Sequence, residues 1–124
     1  MFKLKLVTLA LAALVGVPAA AAAQSIEAGK WTGTVLPPDG QTTEVTYDVT
    51  VKGDTIGITV SAGEHGTFTF NEVKLADNKL TFSFQPGVLV KCALARRADG
   101  AFEGQCTDAE GGVAQMLMVP PKKQ

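Results

Sequence analysis

The stretch that decides the fold is residues 42–61, TTEVTYDVTVKGDTIGITVS. From 45 to 51 every second residue is apolar, and after the Gly53-Asp54 turn signal the alternation resumes from 56 to 60. A period of two, rich in β-branched residues, is typical of antiparallel strands with one buried face. A short Gly/Asp connector favours a hairpin between sequence neighbours. The stretch therefore predicts two paired strands.

The same pattern continues along the chain. Eight runs can be recognised, at 30–36, 42–52, 55–61, 67–75, 79–85, 88–96, 101–107 and 113–119. The connectors are short and turn-competent, which predicts a meander of hairpins. Within the run 67–75 the apolar positions change from even to odd numbers, which predicts a β-bulge near Asn71 and Glu72.

A meander of this length exposes strand edges unless it closes on itself, and closure removes those edges. We therefore expect an all-β domain, an eight-stranded antiparallel up-and-down β-barrel. A two-sheet sandwich is the alternative, but Greek-key sandwiches need longer crossings between sheets than these hairpin loops provide.

The first 23 residues predict a cleavable export signal. Lys3 and Lys5 precede an apolar run at 6–17, and Ala21-Ala22-Ala23 supplies the small residues that a signal peptidase requires. An uncleaved N-terminal anchor is the alternative, but the apolar run is shorter than the about 20 residues that span a bilayer. The chain thus divides into a signal peptide at 1–23, a β-barrel domain at 24–119 and a C-terminal tail at 120–124. We expect bacterial export to the periplasm or the medium, without stable membrane insertion after cleavage.

Cleavage leaves 101 residues, with nine Lys or Arg and twelve Asp or Glu. A single domain of that size buries one modest core. The dispersed, mildly acidic charge excludes a nucleic-acid-binding surface, which needs clustered basic residues. Lys91, Arg96 and Arg97 are predicted to form a small solubilising spot near one hairpin.

Cys92 and Cys106 are the only cysteines. A hairpin that turns at 98–100 pairs Leu94 with Gly104 and places the two cysteines opposite each other, within disulfide range. An oxidising compartment favours the bond. A redox or metal site is the alternative, although the spacing is far from C-x-x-C.

Mostly aromatic side chains are predicted to point into the barrel, where they are candidates for lining a ligand cavity. They are Trp31, Tyr47, Ile58, Phe68, Phe70, Phe82, Phe84 and Phe102. The same residues predict a filled lumen equally well, because an eight-stranded barrel just holds side chains or one small ligand. The last strand leaves open whether Met116 and Met118 face inward; if they face outward, they form an interaction patch with Leu89.

No catalytic residue, metal site or cofactor is predicted. His65, the only histidine, lies in a loop without a recognisable nucleophile and orienting acid. Asp108 and Glu110 lack the further oxygen ligands of a calcium loop. Glu44 and Glu103 are predicted to lie on a solvated outer face.

Gly29-Lys30-Trp31 resembles the G-x-W that opens calycin-type barrels, the lipocalins and avidins, and 102–106 resembles a strand of avidin. The resemblance implies a barrel in which Trp31 packs across a closed end. The biotin site is not implied, because Gly33 stands where avidins have a ligand-binding Asn. Trp31 is also the only tryptophan, so the aromatic residues of a biotin site are missing. The basic residue that covers the tryptophan near the last strand of a lipocalin is not evident either.

A longer series of motifs resembles the all-β accessory domain that precedes the catalytic domain in some exported bacterial serine hydrolases. It runs Gly29-x-Trp31-x-Gly33, Phe70-x-x-Val73, Leu80-x-Phe82 and Phe102-x-Gly104. This resemblance implies no transferable site. It implies a structural or interaction role with an exported hydrolase as partner.

Two functions are therefore expected, neither of them enzymatic. The first is a binding protein that holds a small apolar molecule in the barrel lumen. The second is an accessory module with a filled barrel and a surface for an exported protein partner.

Overall fold

The computed structural model describes residues 25–122. In this range it contains nine strands, β1 (Gly29–Leu36), β2 (Thr43–Lys52), β3 (Thr55–Ser61), β4 (Thr67–Thr69), β5 (Asn71–Ala76), β6 (Lys79–Phe84), β7 (Val90–Arg96), β8 (Phe102–Asp108) and β9 (Val113–Val119). A 3₁₀ turn at Gly63–His65 separates β3 from β4. The predicted signal peptide at 1–23 and the last two residues of the tail lie outside the described residues.

The strands form one antiparallel sheet that curls into a nearly closed up-and-down barrel. Its order is β4-β3-β2-β1-β9-β8-β7-β6-β5, so β1 pairs with both β2 and β9 and joins the first strand to the last. The sheet ends, β4 and β5, are consecutive in sequence and meet at Phe70, whose N–H donates to the carbonyl of Ile58 at 2.8 Å. The predicted barrel is confirmed in place of a sandwich.

The strand count differs from the expected eight because the predicted run 67–75 is two strands. β4 pairs with β3, whereas β5 pairs with β6. Asn71 lies opposite Ser83 and Lys74 opposite Thr81, so one extra residue is inserted between them, and Glu72 has φ +52°. The bulge predicted near Asn71 and Glu72 is confirmed, and it lies within β5, just after the chain has passed from one sheet end to the other.

The buried residues fill the barrel from one end to the other. β9 contributes Met116 and Met118, which are buried, while Leu117 on the opposite face is partly exposed and Val113 is exposed. The methionines therefore belong to the core and do not form an outer patch with Leu89. Their flexible side chains suit the irregular space that neighbouring aromatic rings leave.

Gly33 in β1 and Gly104 in β8 mark two positions where neighbouring backbone approaches closely. A Cβ at Gly33 would overlap the carbonyl oxygen of Leu117, and one at Gly104 would overlap that of Ala93. Side chains at these positions are therefore excluded by neighbouring backbone. Glycine within a strand is typical of such close approaches and of barrel corners.

Tyr47 uses the space beside Gly33. The side chain extends from β2 past Gly33, and its phenol donates a hydrogen bond to the carbonyl of Leu117 in β9 at 3.1 Å. The bond links two strands that are not neighbours, because β1 lies between them. Burial removes water from the phenol, which disfavours the charged form and raises the pKa of Tyr47 strongly.

The disulfide joins β7 and β8 as expected. Leu94 lies opposite Gly104 and Cys92 opposite Cys106, with 4.0 Å between the two cysteine Cα atoms and an S–S bond of 2.04 Å. Both cysteines face the interior and pack with the core. The bond therefore adds buried contact as well as a covalent link.

Replacing both cysteines by alanine should lower the free energy of unfolding by about 3 kcal/mol, the loop-closure contribution expected for a loop of this length. Urea unfolding of the oxidised protein, the reduced protein and the double variant measures it. The reduced wild type is the matched control, since it removes the bond and keeps both side chains. A loss below about 1 kcal/mol in both samples would contradict the prediction.

Stability should fall at alkaline pH because of Tyr47. The unfolded phenol titrates near pH 10, and the folded pKa is higher, so the stabilisation is complete below about pH 10 and is lost as the pH rises toward the folded value. Tyr47 is the only tyrosine, so the absorbance of ionised phenol reports this residue alone. We expect that absorbance to appear together with loss of the β-sheet circular dichroism.

The same titration in concentrated guanidinium is the control and should show ionisation near pH 10. Tyr47→Phe should cost about 1 kcal/mol at neutral pH, the typical value of one hydrogen bond, and should weaken the alkaline dependence. Ionisation near pH 10 with an intact sheet signal would show that the phenol is not held as described.

Candidate functional site

One end of the barrel is covered by the chain segment that precedes β1, and we call it the covered end. Ile26 from this segment is buried in the core at 7% exposure. Trp31 at the start of β1 is fully buried, and its indole N–H donates to the carbonyl of Glu27 at 2.9 Å. Its ring lies 5.9 Å from that of Phe102. The segment is thus tied to the barrel by an indole and an isoleucine.

Arg96 completes the covered end. Its guanidinium lies over the ring of Phe102 at 4.8 Å and donates to the carbonyl of Ser25 at 2.7 Å and to Asn78 Oδ1 at 3.1 Å. The expectation of a merely solubilising residue is therefore wrong for Arg96. The basic residue that covers this end thus comes from β7 and not from the neighbourhood of the last strand.

The middle of the lumen is filled by contacting rings. Phe70 and Phe82 stack at 3.9 Å with an interplanar angle of 6°, and Tyr47 lies 6.3 Å from Phe70. Ile58 is fully buried beside them. Of the predicted lining residues, Trp31, Tyr47, Ile58, Phe70, Phe82 and Phe102 are thus part of the packed core.

Phe68 and Phe84 are the two predicted lining residues that stay partly exposed. Their rings are 6.0 Å apart, and Phe84 lies 5.2 Å from Phe70. They lie at the end of the barrel opposite Trp31, near the 3₁₀ turn. We call this end of the barrel the loop end. Three exposed apolar side chains are found at its rim, Leu36, Leu89 and Val113, at 36–42% exposure.

The barrel is not closed along its whole length, because β3 and β5 are not paired between Phe70 and the covered end. A cleft of about 600 Å³ opens there, beside the covered end, and we call it the seam cleft. Its apolar walls come from the N-terminal segment, the β2–β3 hairpin and β5, namely Ile26, Val51, Ile56, Val73 and Leu75. Asp54 and Lys74 lie at its margin.

The bulge explains why the seam cleft exists. It shifts β5 relative to β4 and points Val73 and Leu75 inward, toward Ile56. β3 has no strand partner on that side beyond the hydrogen bond to Phe70. Val73 and Leu75 were not predicted to line a cavity, although the even-to-odd change near residue 71 is the signal that could have identified them.

The remaining candidates do not assemble into a reaction centre. His65 lies exposed on the 3₁₀ turn next to Glu64. Within residues 25–122 no group of three or more His, Cys, Asp or Glu side chains is placed to hold a metal ion. The same range contains no helix long and apolar enough to cross a bilayer.

No protein-family model matches the chain, and no curated protein matches it either. Among solved structures it is similar to two redesigned β-barrels. The first, b11L5F_LGL, has a TM-score of 0.61 and 14% sequence identity, with 83% of this chain and 96% of the design aligned. The second, mFAP1 bound to DFHBI, has a TM-score of 0.61 and 16% identity over 81% of this chain and 97% of the design. At these identities the similarity shows the fold, a small antiparallel β-barrel.

Proposed function

We propose that the protein is an exported, non-enzymatic binding protein that holds a small apolar molecule in the seam cleft. The observation that carries the proposal is the incomplete closure between β3 and β5, which leaves inward-facing apolar side chains around an open volume of about 600 Å³. Binding sites for small molecules are usually concave, apolar and within this range of volumes.

The lining favours an aliphatic ligand. Ile26, Val51, Ile56, Val73 and Leu75 supply branched aliphatic walls, and the aromatic rings lie deeper in the packed lumen. Burial of each ligand methylene contributes about 0.8 kcal/mol. The ligand therefore occupies the opening between β3 and β5.

The charges at the cleft margin suggest a polar group on the ligand. Lys74 and Asp54 lie on opposite walls, one on β5 and one on the β2–β3 hairpin. A ligand with an apolar tail and a single hydroxyl or carboxylate can bury the tail and keep the polar group at this margin.

Export is supported by two features. The buried disulfide between Cys92 and Cys106 is the type of bond that persists in oxidising compartments. The predicted signal peptide is consistent with that location. The calycin-type resemblance and the barrel of mFAP1, which was solved with the small molecule DFHBI, support ligand binding by this fold.

A second function, an accessory module for an exported protein such as a hydrolase, is favoured by the loop end. Leu36, Leu89 and Val113 are exposed there together with part of Phe68 and Phe84. Exposed apolar side chains grouped at one end are typical of protein contacts. The two functions use different ends of the barrel and can be separated by experiment.

Decanol and decanoate are suitable probes of the seam cleft. We expect both to raise the melting temperature, since a ligand that binds only the folded state stabilises it. Amide shifts in NMR spectra should concentrate at 51–56 and 73–76. Val73→Phe should fill the cleft and lower the affinity about tenfold, the effect of displacing roughly two ligand methylenes.

Val113→Phe is the matched control, because it enlarges an exposed valine at the loop end, and it should leave the affinity unchanged. The proposal fails if neither probe binds, or if the amide shifts appear only at the loop end. Replacing Leu36, Leu89 and Val113 by serine tests the second function, and it should abolish co-purification with an exported partner.

A further inference from the structure

The outer wall of the barrel carries a groove across β2, β1, β9 and β8. It consists of two neighbouring depressions of about 610 and 450 Å³ that share Thr34 and Leu117. We call it the wall groove. It shares no lining residue with the seam cleft.

The two strand glycines account for the groove. Gly33 lines the first depression and Gly104 the second, on either side of β9. At both positions the backbone approaches its neighbour too closely for a side chain. Each depression therefore includes one strand position that carries no side chain.

The strand register places a defined series of side chains along the groove. Glu44 lies opposite Thr34, Thr34 opposite Leu117, and Leu117 opposite Glu103. Three strand spacings separate the two carboxylates, about 14 Å at 4.7–4.9 Å per spacing. One apolar side chain thus lies between polar groups at both ends of a groove that suits an elongated ligand.

Further polar groups lie on each side of this series. Thr32 and Thr46 form a cross-strand pair on one side, and Gln105 and Gln115 form another on the opposite side. Hydroxyl and amide groups both donate and accept hydrogen bonds. Leu117 therefore has polar groups on both sides, with Val119 next to Thr32 and Leu36 next to Gln115.

Most of these groups have unused hydrogen-bonding capacity. Among the described residues the hydroxyls of Thr32, Thr34 and Thr46 and the carboxylate of Glu44 have no side-chain hydrogen bond or ion pair. Glu103 accepts from Arg97 at 3.5 Å, which leaves its second oxygen for other donors. The wall groove is thus well supplied with acceptors and hydroxyls.

We propose that the wall groove binds a short neutral oligosaccharide. Successive pyranose units offer hydroxyl donors to Glu44 at one end and Glu103 at the other, and the C–H face of a unit between them packs on Leu117, which matches the order of groups along the groove. Both charged side chains that line the two depressions are carboxylates, so an anionic polysaccharide is disfavoured. Hydrogen bonds to charged acceptors are stronger than those to neutral acceptors, so the two carboxylates would orient the oligosaccharide in the groove.

Cellohexaose, maltohexaose and chitohexaose are the neutral probes, and a galacturonic acid hexamer is the anionic one. In amide NMR titrations of the full folded domain, we expect at least one neutral hexamer to shift residues in β1 and β9 near Thr34 and Leu117. Thr34→Val should weaken that binding about fivefold, the loss of one hydrogen bond, and it keeps a β-branched residue in the strand.

Thr81→Val is the matched control, because Thr81 lies on β6 outside the groove, and it should change the affinity by less than about twofold. The proposal is overturned if none of the neutral hexamers shifts groove amides, if the anionic hexamer binds equally well, or if both threonine variants behave alike. Its failure is distinct from that of the apolar site, whose probes shift residues 51–56 and 73–76.

Discussion

The hydrogen bond from Tyr47 to the carbonyl of Leu117 is the interaction on which the barrel's form depends. It passes Gly33 and connects β2 to β9 across the strand between them. A larger residue at 33 would meet both the carbonyl and the tyrosine ring. The ladder between β1 and β9 closes the first strand against the last, and the absence of a side chain at Gly33 makes room for the phenol that braces it.

The incomplete closure on the opposite side has a different origin. There the chain passes from β4 to β5 at Phe70, the bulge at Glu72 follows within β5, and the two sheet ends are joined covalently rather than by a full ladder. A bulge increases the local bend and interrupts pairing. The molecule thus combines a tightly braced side at β1 with a looser side at β5, and the seam cleft lies on the looser one.

Much of this fold was predictable from local sequence rules. The pairing of Leu94 with Gly104, and hence the disulfide, follows from the centre of a single turn, and the bulge follows from a change of apolar phase. The inward direction of Met116 and Met118 was not predictable, because β9 is apolar on both faces. Arg96 was misjudged since its role depends on Ser25, which is distant in sequence and adjacent in space.

The candidate sites were less predictable than the strands. Alternation identifies which side chains face inward, but it does not tell how far neighbouring strands separate along the barrel axis. Phe70 and Val73 both point inward, yet the first is stacked in the core and the second lines an opening. Whether an inward side chain lies in the core or at an opening depends on where the two ends of the sheet meet, and this is a property of the whole sheet. The outer groove likewise depends on register between four strands.

The position of the single indole has an optical consequence. Trp31 is packed against Phe102 and shielded from water beneath the guanidinium-covered ring, and its emission should be blue-shifted and insensitive to aqueous quenchers. It reports whether the N-terminal segment remains docked. A partner that binds at the loop end would leave the emission spectrum of Trp31 unchanged. Tryptophan fluorescence therefore detects release of the N-terminal segment and does not detect binding at the other end of the barrel.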